Sequence, residues 1–324
     1  MAKPLVTVVT PFYNAARFLP ETIKSVCDQS FTDWEWLLVD DGSSDGSSKI
    51  AHELAAMDPR VRVLQHPGRV NRGPAASRNL AIRHAQGDFY AFIDADDVWI
   101  AEKLERDLAV FARHREARLT YSRMMHWFSW SGRVRDADRD ELGEMGIPHD
   151  KFVEPPDLLI HFLSHIYRHD HQYPAPSCVM IRRDAQPEGE ELFEDSAYYF
   201  EDAAFLTRLL LRYPAVVCED IRTWHRRGGP SLTNRLKIIR PHAHLLFILG
   251  WIEKYVGAAD VAHQRQVLDA VASVRRDIKV GRRLMWRRPI LASMIWVGYA
   301  LLPAATRRRM WNAFGSRLWF GKVS

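Results

Sequence analysis

Four short apolar runs fill the first hundred residues, each followed by a polar turn and then a helical pattern: Leu5 to Thr10, Trp36 to Val39, Val61 to Leu64 and Phe89 to Ile93. Between them apolar side chains recur at helical spacing, as Phe18, Leu19, Ile23 and Val26 do from Ala15 to Gln29, and Ile50, Leu54 and Met57 after the second run. Strands alternating with helices in this way are joined by crossovers, so the pattern predicts a mostly parallel, Rossmann-like sheet flanked by helices. Ligands of such sheets gather beyond the carboxyl ends of the strands. Two runs end in acid there: Val39 leads into Asp40-Asp41-Gly42-Ser43-Ser44-Asp45, and Ile93 into Asp94-Ala95-Asp96-Asp97.

Three carboxylates within four residues repel one another, and a divalent cation carrying a phosphate is their natural partner. The plainer alternative is an Asp-rich turn in which Asp97 caps a helix beginning near Ala101. No Gly-x-Gly-x-x-Gly follows the first run and no Gly-Lys-Ser/Thr occurs, so neither a dinucleotide cofactor nor a P-loop is indicated. A nucleotide would be held by acids, backbone and metal instead.

Beyond Glu102 a helix is expected to about His114, with Leu104, Leu108 and Phe111 inward, then short strands. Residues 131 to 156, rich in Asp, Arg, Gly and Pro, read as a long surface excursion of the kind that forms lids or acceptor contacts. Pro156 to Tyr167 reads as a helix and Ser177 to Ile181 as a strand. Glu201-Asp202 opens a helix that buries Phe205, Leu206, Leu209 and Leu210, and Val216 to Cys218 reads as the last strand. Gly228-Gly229-Pro230 would be the hinge out of the body. The expected organisation is a body over residues 1–230, with a nucleotide-binding half (1–100) and an acceptor half (101–230), followed by a helical extension over 231–324.

The charge divides along the same line. From Ile238 to Ser324 there are 15 Lys and Arg against 4 Asp and Glu, a net +11, while residues 1–237 carry −6. A basic tail on an acidic body points to an anionic surface as the tail's partner. In it, Val267, Val271, Val274 and Ile278 recur at helical spacing. Ile290 to Leu302 is an uncharged run of 13 residues, which as a helix spans roughly 20 Å against the ~30 Å of a bilayer core. With Trp286, Trp296, Tyr299, Trp311 and Trp319 nearby and arginines on both sides, it suits a membrane-interface anchor; the alternative is a core helix packed on the body. Arginines flanking apolar, Trp-rich runs suit an interface better than a phosphate groove, so no nucleic acid is expected. Three scattered cysteines, Cys27, Cys178 and Cys218, suggest neither a disulfide framework nor a zinc site. The apolar run after Met1 is too short for a secretory signal, so the expected location is cytoplasmic, peripheral on the inner face of the cell membrane.

Five motifs, in order and spacing, resemble those of the family 2 glycosyltransferases with a GT-A fold: Thr7 to Asn14, Val39 to Asp45, Ser77-Arg78-Asn79-Leu80-Ala81, Gly87-Asp88 with Phe92 to Asp97, and Glu201-Asp202. The resemblance covers roughly residues 4 to 230. It implies an inverting, metal-dependent transfer of a sugar from a nucleotide diphosphate donor, with Mg²⁺ or Mn²⁺, to a carbohydrate or lipid-linked acceptor in surface polysaccharide, lipopolysaccharide or glycolipid synthesis. By the same resemblance Pro11 and Tyr13 line the base pocket, Asp40 accepts from base or ribose, Asp41 shapes that turn, and Arg78 faces the nucleotide. Asp96 matches the direct metal ligand, and Asp94 a metal or ribose contact, with Asp97 either joining them or capping the next helix. Asp202, beside Glu201, matches the general base that takes the acceptor proton as oxygen attacks C1; its plainer role is an N-cap.

The text from Trp224 to Thr233 departs from the family pattern by a residue or more. His225 is there a candidate third metal ligand, and Arg226 and Arg227 are candidates to hold the diphosphate in a donor lid. Two other functions remain in view. A sugar nucleotidyltransferase would share the fold and the acids but needs a Gly-rich basic loop that Val8 to Arg17 lacks. A non-catalytic binder of sugar nucleotides or membranes would have no need of Asp94, Asp96 and Asp202 together.

Overall fold

The computed structural model describes residues 3–147, 150–166, 174–196, 201–227, 243–259 and 261–287. Its first half is the expected alternation: β1 (Val6–Phe12), α1 (Leu19–Cys27), β2 (Trp34–Asp40), α2 (Ser47–Met57), β3 (Val61–Gln65), α3 (Gly73–His84) and β4 (Phe89–Phe92). The strands lie in the order β3-β2-β1-β4, all parallel. β1 and β2 are buried along their whole length, as a central parallel strand covered on both faces must be. Alternate residues part cleanly: Val9, Leu37, Val39, Tyr90 and Phe92 enter one core, and Val6, Val8, Leu38 and Ala91 the other. At the entry to β4, a Cβ on Gly87 would lie 2.5 Å from the Thr7 backbone nitrogen, so only glycine lets that turn approach β1.

The second half adds β5 (Val98–Trp99), α4 (Lys103–Arg113), β6 (Leu119–Trp127), β7 (Glu141–Leu142), β8 (Lys151–Val153), α5 (Asp157–Ile166), β9 (Val179–Arg182), α6 (Glu201–Leu210) and β10 (Ala215–Arg226). The sheet continues β4-β9-β6-β10-β5, with β9 antiparallel between β4 and β6 and β10 parallel to β6. The ends of β6 and β10 therefore emerge on the same sheet edge as those of β1 and β4. The excursion at 131–156 is not loop throughout: β7 pairs with β6 and β8 with β10.

Two expectations change in extent. α1 begins four residues later than its apolar pattern suggested, with Pro20 in its first turn, because the residues before it are engaged in a turn described below. β10 does not stop at Cys218. Register shifts after Cys218 and Ile221 carry it past the polar Glu219-Asp220 pair and on to Arg226, as bulges do when a strand must re-aim its end.

In the C-terminal extension, α7 (Ala243–Ala258) and α8 (Gln264–Arg287) pack against α6 and α5 respectively, and against each other. Val267, Val271, Val274 and Ile278 are 0%, 0%, 3% and 1% exposed and join the same core as α3, α5 and α6. At about 1.5–3 kcal/mol per buried side chain, that seam is worth on the order of 6–12 kcal/mol before the ordering entropy is subtracted. The change in composition near residue 230 is thus no boundary in packing as far as Ile278. The proposed hinge at Gly228 to Pro230, Tyr198 to Phe200, and the Ile290 to Leu302 run with Trp296, Tyr299, Trp311 and Trp319 lie outside the described residues, whereas Trp286 falls in the last turn of α8. Among the described residues no helix is long and apolar enough to cross a membrane.

Candidate active site

The ends of β1 and β2 lie side by side, Phe12 opposite Asp40, and their turns are stitched together. Asn14, held at φ 49°, accepts the Ser44 amide on Oδ1 at 2.8 Å. The amides of Asn14, Ala15 and Ala16 donate to Ser43 Oγ, Ser47 Oγ and Asp45 Oδ2 at 3.1, 2.8 and 2.9 Å. Asp40, only 1% exposed, accepts the Ser43 amide at 2.8 Å and Gln65 Nε2 at 3.4 Å. Pro11 is buried in β1, whereas Tyr13 is 53% exposed at the mouth of this turn.

Asp41 takes a different part from the one expected. Its carboxylate accepts the Arg72 and Gly73 amides at 2.7 and 2.9 Å, so it caps α3 from another segment and holds the loop over the site. That loop lies close: a Cβ on Gly42, whose φ is 83°, would sit 2.7 Å from the Arg69 carbonyl oxygen.

After β4 the chain turns tightly, the Asp97 amide donating to the Asp94 carbonyl at 3.1 Å. The three acids then diverge in role. Asp94 pairs with Arg78 at 2.5 Å. Asp96 is half-buried, and among the described residues no cationic side chain forms an ion pair with it. Burial, followed by the charges of Asp97 and Asp94, pushes its carboxyl up to about 7. Asp97 is fully buried and accepts Ser177 Oγ at 2.6 Å, His225 Nδ1 at 3.0 Å and the Arg226 amide at 3.1 Å. Burial alone would raise Asp97, but the His225 charge and these hydrogen bonds bring it below the usual carboxylate range. Asp97 caps no helix; α4 starts at Lys103 without a side-chain cap.

The end of β10 closes over this turn. Burial disfavours charge on His225, yet Asp97 outweighs it and the net shift is upward. Its Nδ1 is committed to Asp97, and its Nε2 lies 3.5 Å from Arg227 Nη1. Arg226 points inward. Its Nε donates to the Asp96 carbonyl at 2.8 Å, its Nη2 pairs with Glu21 at 2.6 Å, and its guanidinium lies 4.5, 5.0 and 5.1 Å from the rings of Trp127, Phe18 and Trp130. Arg226 is therefore built into the wall rather than offered to a diphosphate. Arg227 is tied by its backbone, its amide donating to the Trp127 carbonyl at 2.9 Å and its carbonyl accepting Trp130 Nε1 at 2.6 Å.

A buried arginine joins the two acidic centres. Arg78 donates Nη2 to Asp94 and Nη1 to Glu201 Oε1 at 3.1 Å, across 123 residues of sequence, and leaves Nε buried without a partner. Burial works against its charge, but the two carboxylates more than offset that and raise its pKa. Glu201 and Asp202 form the first turn of α6, so Asp202 lies inside the helix, its Oδ1 accepting the Ala203 amide at 2.8 Å. Burial and then the neighbouring Glu201 charge push Asp202 up to about 7.

Among the described residues no group of three or more His, Cys, Asp or Glu side chains is arranged to hold a metal, so His225 does not complete such a set with Asp94 and Asp96. The oxygen donors left are the carboxylates of Asp94 and Asp96, and the His225 charge offsets part of the repulsion that Asp96 meets from Asp97 and Asp94. This suits a hard cation of the Mg²⁺ type, which takes one or two carboxylates and finishes its shell with phosphate and water. Sequence reasoning missed Ser177 and Glu21, which hold this turn and its wall. Ser177 lies in a turn just ahead of β9 with no local signal to mark it.

A family model described as glycosyl transferase family 2 matches residues 7–186. TuaG of Bacillus subtilis (strain 168), a glycosyltransferase ascribed to teichuronic acid biosynthesis, is 37% identical over 157 residues, 48% of this chain and 55% of that protein. WfgD of Escherichia coli, a UDP-Glc:alpha-D-GlcNAc-diphosphoundecaprenol beta-1,3-glucosyltransferase, is 37% identical over 110 residues, 34% of this chain and 42% of WfgD. The chain thus spans about half or less of the length of the curated relatives it matches. Among solved structures, Staphylococcus aureus TarS 1-349 with UDP-GlcNAc superposes with a TM-score of 0.63 at 20% identity, over 83% of this chain and 72% of that one. The mannosyltransferase PcManGT of Pyrobaculum calidifontis, in complex with GDP-Man and Mn²⁺, gives 0.58 at 18% identity over 99% and 82%. At such identities the likeness is one of fold, and the fold is GT-A.

Proposed function

Because the chain belongs to glycosyl transferase family 2, we propose that it moves a sugar from a nucleotide diphosphate-sugar to an acceptor hydroxyl with inversion, the acceptor being a growing surface polysaccharide or a lipid-linked sugar. The observation that carries this reading is the Asp94–Arg78–Glu201 bridge, which sets the donor acids and the candidate base on two sides of one arginine. Asp202 takes the proton of the acceptor hydroxyl as its oxygen forms the bond to C1. The bond from C1 to the diphosphate oxygen breaks on the opposite face, and the diphosphate departs with that electron pair. A carboxyl raised to about 7 is well matched to that proton transfer, since a base is most effective with a pKa near the working pH. Glu201, held by Arg78, stays out of the proton path and supplies the charge that keeps Asp202 basic. Asp96 and Asp94 would hold Mg²⁺ or Mn²⁺ with the donor diphosphate; when bound, that cation neutralises the charge of the departing group. Asp40, Pro11 and Tyr13, at the end of β1 and β2, would receive the nucleoside.

The diphosphoundecaprenol-linked acceptor of WfgD and the +11 charge from Ile238 onward support an acceptor at an anionic membrane face and peripheral attachment there. The test is release of free nucleoside diphosphate from a panel of nucleotide sugars on addition of an acceptor extract. Asp202→Asn should abolish release in a folded protein, and EDTA or Asp96→Ala should suppress it. Normal transfer by Asp202→Asn, or indifference to both EDTA and Asp96→Ala, would sink the reading.

A further inference from the structure

Ser177 is 0% exposed and hydrogen-bonds to Asp94, Asp97, Trp99 and Thr223. Its Oγ accepts the Asp94 amide at 3.1 Å and donates to Asp97 Oδ2 at 2.6 Å, so one hydroxyl joins the first and last residues of the turn. Its carbonyl accepts Trp99 Nε1 at 2.8 Å and Thr223 Oγ1 at 2.9 Å, anchoring that hydroxyl to β5 and β10. Asp97 passes the constraint on: with its oxygens it also takes His225 Nδ1 and the Arg226 amide, 128 and 129 residues away. Arg226 returns it to the turn through the Asp96 carbonyl. The loop of contacts closes through the Asp96 backbone, while the Asp96 carboxylate forms no ion pair among the described residues.

We propose that Ser177 and Asp97 are positioning residues that hold the Asp94–Asp97 turn, and the His225–Arg226 end of β10 against it, in the geometry that receives the donor's cation. This rests on the cation reading given above. A carboxylate cluster left to itself would splay to relieve repulsion. Here the outer acids are each given partners, Arg78 for Asp94 and the Ser177–His225–Arg226 set for Asp97, so the cost of gathering charge is met in folding and Asp96 is fixed facing its like-charged neighbours. Groups that orient a metal's ligands commonly change affinity by about 10–100-fold when removed.

The experiment is Mn²⁺ binding to the full chain, followed by electron paramagnetic resonance of free Mn²⁺, with and without UDP, alongside urea unfolding. Ser177→Ala and Asp97→Asn should each weaken Mn²⁺ binding by about tenfold or more. Thr120→Val is the control: it removes a buried hydrogen bond, from Thr120 Oγ1 to Asp107 at 3.1 Å, at the opposite end of the sheet from the acidic turn, so it should lower stability by an amount similar to Ser177→Ala while leaving Mn²⁺ binding within about threefold of wild type. If wild type binds Mn²⁺ and Ser177→Ala binds it equally well, or no worse than Thr120→Val, the positioning role is refuted and the cation reading stands. If wild type binds no Mn²⁺ with or without UDP, the cation reading fails and this inference with it.

Discussion

Replacing Arg78 with methionine tests the join between the two acidic centres. The side chain is 3% exposed and pairs with Asp94, 28% exposed, and Glu201, 16% exposed. Removing one partner of a buried ion pair costs about 3–5 kcal/mol, because the charge left behind has lost both its pair and its water. Both orphaned carboxylates here retain some solvent, which places the expected loss near the lower end, about 3 kcal/mol. With an m-value of about 3 kcal/mol/M, urea unfolding should shift its midpoint down by about 1 M. Glu201→Gln in the Arg78→Met background removes one orphaned charge and should return about 1 kcal/mol, although the same change in wild type destabilises. Arg78 also works to lower the Asp202 pKa, so in Arg78→Met the acid limb of kcat/KM should move to higher pH. A loss below about 1 kcal/mol, or a Glu201→Gln effect that simply adds, would refute the bridge as the element joining the two halves.

Under the proposed mechanism the ionised form of Asp202 is the reactive one, so kcat/KM should climb with pH and level off above about 7; a profile flat from about pH 5 to 7 would exclude it as base. The same raised carboxyl makes the ligand-free fold more stable at low pH, and that contribution is lost as pH rises from its ordinary 3.8 through about 7; denaturation of wild type against Asp202→Asn across that window reads it. Asp107 is buried against both Lys103 and Arg222. Asp107→Ala should cost about 3–5 kcal/mol by leaving buried cations underpaired, whereas Lys103→Met, which keeps Arg222 and Thr120 on Asp107, should cost about 1 kcal/mol; the reverse order in urea melts would overturn this. Ile278→Ala should destabilise the whole fold by about 2–5 kcal/mol in one cooperative transition; a body transition that does not move would mean α8 is an appendage.

Much of this architecture is carried by local pattern. The parallel half could be read from β-branched runs ending in polar turns, because a strand covered on both faces must be apolar along its length. The seam of α8 was equally plain in Val267, Val271, Val274 and Ile278, although the sequence's charge split suggested a separate unit there. What the helix faces is a tertiary matter, since a hydrophobic stripe declares that it will be buried but not by what. The same limit hid the length of β10, whose Glu219-Asp220 pair looks like a strand end until Arg106 and Arg222 are seen to take Asp220 at 3.0 and 2.7 Å.

The acids divide in the same way. Sequence by itself determined that Asp40, Asp94, Asp96 and Asp202 would stand at the ends of strands and helices, because spacing fixes which residues fall at the ends of elements; the GT-A fold that gathers those ends was implied by the motif resemblance. Only the tertiary structure decided which of their neighbours are taken up in holding the frame. Asp41 went to the amides of α3, Asp97 to Ser177, His225 and Arg226, and Arg226 into a wall of three aromatic rings. Those partners lie 31 to 208 residues away, and a side chain's role is set by the groups that reach it, which no local pattern contains.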